Sequence, residues 1–151
     1  MEYIEETMTG TSDRKIINSG AHWFYWIAAL SALNSLIVFY MGTQNSAFAF
    51  GITQWIDGTR GSMTAEGWNP PLQVAGLMIS LAIAAGFAAL GYFARRSDLI
   101  FVLGLLLYCV DALLSLGLKD FFGFAFHFVG LFYIFRGLLA SRHLRENAMT
   151  H

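Results

Sequence analysis

Asp111 and His127 are the residues of this chain best placed to do chemistry. Asp111 lies within the apolar run from Leu99 to Leu118, which is long enough to cross a bilayer. A carboxylate at that depth is costly, so it normally has a partner and often a function. His127 lies in the next apolar run, beyond a short polar turn at Lys119-Asp120. Each residue is about eight positions from that turn, so a rise of 1.5 Å per residue puts both roughly 12 Å into a helical hairpin. Paired in this way, the carboxylate would orient the imidazole and raise its basicity, leaving the second ring nitrogen as a base or ligand.

Other polar residues fall at the same level. Asn34 and Ser35 in the first apolar run and Ser80 in the second come roughly 10–15 Å below the outer boundary. Ser31 and Tyr108 lie a turn deeper, on the faces of Asn34 and Asp111. Acyl-transfer chemistry would take His127 as base, Asp111 as its orienter, Ser35 (or Ser80) as nucleophile and Asn34 as oxyanion donor. No GxSxG elbow surrounds either serine, and serine in a membrane helix commonly serves helix packing. In a binding role, Ser80, Tyr108, Ser31 and the loop residue Trp55 would line a ligand site. A proton relay would use the Asp111–His127 pair alone.

Metal chemistry lacks ligands: Asp111 and His127 supply two, there is no HExxH spacing, and a third would have to come from Asp57 or Glu66. No metal site is expected, and no cofactor is specified. Cys109 stands alone, which excludes an internal disulfide, a CxxC redox pair and a cysteine zinc cluster. A net charge of −1 without basic clusters argues against nucleic acid as a partner.

The elements that must hold these residues are membrane spans. Charged residues make up 13% of the chain, about half the usual share for a soluble domain, and none occurs between Ile16 and Ile56. Spans are expected at about 21–41, 72–94, 99–118 and 121–140, each near the 20 apolar residues a bilayer requires. The unbroken runs lack the alternation of barrel strands, so the spans are helices. Arg14, Lys15, Arg95, Arg96, Arg142 and Arg145 all fall on one side, against Arg60 and Lys119 on the other. The positive-inside rule then puts both termini in the cytoplasm, in what is expected to be a bacterial cytoplasmic membrane.

Asn18 or Ser19 is expected to cap the first helix, Pro70-Pro71 to start the second and Ser97 to cap the third. Gly76, Ser80, Ala84 and Ala88 form a small-residue stripe, which predicts a central, closely packed second helix. Arg136, near the inner end of the fourth span, either snorkels or pairs with Asp98. The segment from about Gly42 to Asn69 carries Phe48, Phe50, Trp55 and Ile56, and reads as a hydrophobic outer loop at the membrane surface.

The expected fold is thus all-α: one integral membrane domain over residues 1–151, a four-span helical bundle with cytoplasmic termini and one long hydrophobic outer loop. Its leading functional reading is a non-catalytic membrane component that binds an apolar small molecule or serves as a subunit of a larger membrane complex or homo-oligomer. The alternatives are an intramembrane enzyme acting on a lipid or other apolar substrate, and a small proton-linked transporter. Membrane lipid is the common partner in all three.

Overall fold

The computed structural model describes residues 2–41, 70–117 and 119–149. They form four helices, α1 (Glu2–Met41), α2 (Pro70–Ala94), α3 (Asp98–Gly117) and α4 (Phe121–Met149). Each holds a stretch long and apolar enough to cross a membrane. The segment expected to form the outer loop, with Trp55, lies outside the described residues.

Local chemistry sets most helix boundaries. α2 begins at Pro70, where a missing N–H costs nothing. α3 begins at Asp98, and the Ser97 carbonyl accepts from the amides of Ile100 and Phe101 at 3.2 and 3.4 Å. α3 and α4 are joined by a Schellman turn: the Asp120 amide donates to the Ser115 carbonyl and the Lys119 amide to the Leu116 carbonyl, both at 3.0 Å. Lys119 sits at the left-handed position of that turn, with φ 61°. Asp120 then caps α4 through its side chain, its Oδ1 accepting from the Gly123 amide at 2.8 Å.

The start of α1 differs from expectation. The helix runs unbroken through Asn18, Ser19 and Gly20, which cap nothing. Its extra turns are held by tertiary contacts: Ile17 is buried, and Asp13 pairs with His143 of α4 at 2.8 Å. α4 likewise continues past position 140, as Ser141 donates to Asp98 and Arg145 lies 3.2 Å from the same carboxylate. Asp98 is therefore engaged by Arg145. Arg136 instead lies over the Phe132 ring, 5.7 Å from its centroid.

The helices form a closed ring in which α1 packs along α2 and α4, α3 along α4, and α2 meets α3 across the smallest interface. The small-residue stripe of α2 does bury Gly76, Ser80 and Ala84, but against α1 only in quantity. The helix packed heavily on two sides is α1. Where α1 crosses α4, a Cβ at Gly20 would come within 2.9 Å of the Gly137 Cα and the Tyr133 carbonyl oxygen. Gly20 is therefore a close-approach residue.

Aromatic rings seated over glycines fix the rest. A side chain at Gly104 of α3 would strike the ring of Phe24 from α1. One at Gly137 would meet Phe101 at 2.9 Å, and one at Gly130 would meet Tyr108 at 2.7 Å. Phe24, Phe101 and Tyr108 are at most 1% exposed. Outside, polarity is inverted relative to a soluble protein. Leu99, Leu106, Leu113, Phe128 and Phe132 face outward while Ser31, Ser35, Ser80, Ser115, Asp111 and His127 lie inside. A continuous apolar exterior of this kind suits lipid rather than water.

The α3–α4 turn offers a direct test. A left-handed conformation costs a non-glycine residue about 1–2 kcal/mol, so Lys119→Gly should raise the thermal midpoint in detergent. Asp120→Ala removes the cap and should lower stability by about 1 kcal/mol. A Lys119→Gly variant no more stable than the parent would contradict the turn assignment.

Candidate functional site

The tight turn brings the apolar hairpin into a fixed register. Asp111 lies on the inner face of α3 with Phe101, Gly104, Tyr108, Ala112 and Ser115. His127 lies on the inner face of α4 with Gly123, Gly130, Ile134 and Gly137. These sets repeat at three- and four-residue intervals, the period of one helix face. Asp111 Oδ2 and His127 Nε2 meet at 2.9 Å, with side chains only 5% and 3% exposed.

The proton count of the pair follows from its neighbours. His127 Nδ1 lies 2.6 Å from the Gly123 carbonyl oxygen, one turn earlier in the same helix. A carbonyl only accepts, so Nδ1 carries a hydrogen and donates. The contact between Nε2 and Asp111 then needs a second proton, either on the nitrogen or on the carboxyl oxygen. Imidazolium with carboxylate and imidazole with carboxylic acid are both electrically neutral overall. The pair thus satisfies itself without leaving a net charge in the membrane interior.

The surroundings hold this geometry. The Tyr108 ring stacks on His127 with centroids 4.7 Å apart and planes 23° from parallel, in the space left by Gly130. Phe87 of α2 meets Tyr108 edge-on at 6.3 Å. Ser115 Oγ donates to the Asp111 carbonyl oxygen at 3.2 Å, a back-bond within α3.

The other residues expected at this level are all buried, and Asn34, Ser35 and Ser80 make no hydrogen bond to the pair. Ser31, Asn34 and Ser35 line the interior of α1 and Ser80 that of α2. Asn34 Nδ2, Ser35 Oγ and Ser80 Oγ have no hydrogen-bond partner. Neither serine therefore contacts His127, and both ring nitrogens of His127 are engaged elsewhere. What the geometry holds is a proton between α3 and α4, on side chains 5% and 3% exposed. Trp55, Asp57 and Glu66 lie outside the described residues. Among the described residues, no three His, Cys, Asp or Glu side chains gather into a metal-binding group.

Two features were not visible in the sequence. One is the Gly123 carbonyl, a backbone atom with no side-chain signal. The other is a groove of about 440 Å³ between α2 and α3, lined by Ile83, Gly86, Phe87, Leu90, Leu107, Val110 and Leu114, with Asp111 its sole ionisable residue. The weak α2–α3 interface and the missing side chain at Gly86 open it; a Cβ at Gly86 would meet nothing within 4 Å. The signal was present in retrospect, since Gly86 stands between the large residues Ile83, Phe87 and Leu90. Comparison of the chain with protein-family models, curated proteins and solved structures finds no match. The functional reading therefore rests on the geometry.

A double-mutant cycle tests the pair. Asp111→Leu or His127→Leu alone leaves a buried polar partner and should cost about 3 kcal/mol or more. Asp111→Leu/His127→Leu should cost at least about 1 kcal/mol less than the sum of the two, measured by denaturant unfolding in micelles. Additive losses would show that the two side chains do not interact.

Proposed function

We propose that this chain is a non-catalytic membrane protein that holds an apolar ligand, a long hydrocarbon chain taken sideways from the bilayer, in the groove between α2 and α3. The observation that carries this reading is the groove itself. Its volume of about 440 Å³ lies within the range of ligand sites, and its wall is aliphatic and aromatic apart from Asp111. Leu107, Val110 and Leu114 on its rim are 46%, 57% and 41% exposed, so the opening faces lipid. One polar group in an apolar wall is the usual means of orienting such a ligand. The engagement of both His127 nitrogens disfavours the enzyme reading, which requires a ring nitrogen free to take a substrate proton. With its basic residues gathered at the end holding the termini, the bundle would sit with that end in the cytoplasm.

A subunit role in a larger membrane complex is the second reading. It is favoured by the exposed small residues Ala75, Ala82, Ala85, Gly86 and Ala89 on α2, which would admit another helix closely.

One variant separates the two. The open space at Gly86 lets Gly86→Trp fill the groove without disturbing the bundle. Saturable binding of a fluorescent polyene fatty acid is expected for the parent and should weaken at least tenfold in Gly86→Trp at unchanged thermal midpoint. Equal binding by both, or no saturable binding by the parent, would defeat the ligand reading. A change in assembled mass without a change in binding would favour the subunit.

A further inference from the structure

A second groove, of about 710 Å³, runs along α1 beside α4, away from the Asp111 site. Its polarity changes in one direction. At one end are Lys15, Asn18, Ser19 and His22; at the other are Trp26, Leu30 and Phe126. Lys15 and Leu30 are separated by 15 residues of continuous helix, or about 22 Å along the axis. That equals the depth of one leaflet with its headgroups, about 20–22 Å. We infer that this groove binds one anionic glycerophospholipid of the leaflet on the terminal side, with its phosphate at Lys15 and an acyl chain running along Trp26, Leu30 and Phe126.

The charge arrangement selects an anion. The neighbouring carboxylates are already committed: Asp13 pairs with His143, and Asp98 with Arg145. Lys15 is exposed and makes no ion pair or hydrogen bond with its side chain among the described residues. It is a cation at headgroup depth with no counter-ion among the described residues. Arg95 Nη2 lies 3.3 Å from His22 Nε2. A guanidinium only donates, so Nε2 accepts and the hydrogen of His22 is on Nδ1, a further donor on a groove-lining ring. Asn18 and Ser19 add an amide and a hydroxyl, the usual complement for phosphate and ester oxygens.

The apolar end is equally built. Trp23 is stacked on Tyr133 at 4.9 Å and 17°, and tilted against Phe126 at 6.1 Å. These contacts fix its indole as a floor between α1 and α4. Trp26 remains 63% exposed, an aromatic surface for a chain to lie against. Because it shares no residue with the α2–α3 groove, this site stands or falls independently of the proposed function.

Its tryptophans report occupancy. In a Trp55→Phe/Trp68→Phe background, fluorescence from Trp23 and Trp26 is quenched by vesicle lipids brominated on their chains. Brominated phosphatidylglycerol should displace phosphatidylcholine with about fivefold selectivity, the worth of one basic residue at a membrane surface. Lys15→Gln should abolish that preference, while Arg14→Gln, which removes the same charge from outside the groove, should retain it. No preference in the parent would overturn the assignment. So would a preference surviving Lys15→Gln, or one lost equally in Arg14→Gln, since either would mean general surface charge. Failure of both lipids to quench, with a dimeric mass, would show that a second copy of the chain covers the face.

Discussion

In a bilayer interior an uncompensated carboxylate is either neutralised or excluded, and Asp111 meets that constraint through a proton shared with His127. Because His127 also donates to the Gly123 carbonyl, the pair carries that proton whichever partner formally owns it. Neutrality is what allows two ionisable groups to lie at this depth. The rest of the interior is arranged around keeping them within 2.9 Å. A shift of α3 past α4 by one helical turn, about 5 Å, would leave both unsatisfied.

Three devices prevent that shift. The Schellman turn and the Asp120 cap fix the length of the connection, so Asp111 and His127 stand at matching heights. Tyr108 stacked on His127 and seated over Gly130 fixes the rotation of both helices. Phe101 over Gly137 and Phe24 against Gly104 extend the same interlock toward the end that carries the termini. Van der Waals fit of this kind is the main source of helix association where lipid tails are as apolar as the side chains. Beyond it, the Asp13–His143 contact and the Asp98–Arg145 ion pair tie the helix ends together outside the apolar stretch.

The bundle is closed tightly on three sides and loosely on the fourth. Strong α1–α2, α1–α4 and α3–α4 interfaces leave α2 and α3 in slight contact, and the groove there exposes an edge of Asp111 to an apolar, lipid-facing space. A polar pair that serves folding on one side can thereby mark a ligand site on the other. The lipid-binding inference concerns a different face, where the distribution of charge along α1 follows the profile of a single leaflet.

Much of this was legible along the chain. An ionisable residue in an apolar run is conspicuous, and the hairpin's near-symmetry about Lys119-Asp120 put Asp111 opposite His127 before any contact was known. Positions along the helix axis are counted in residues, at a fixed rise, so spans and depths follow from primary structure. Rotation about that axis does not. It is set by which side chains interlock between helices: rings over Gly104, Gly130 and Gly137 turned His127 toward Asp111 and left Ser35, Ser80 and Asn34 without a hydrogen bond to either. For the same reason the small-residue stripe of α2 read as the mark of a central helix, since a small residue signals close approach without naming the partner. Depth was a property of the chain; neighbours and grooves came from packing, because only the assembled helices determine which faces meet.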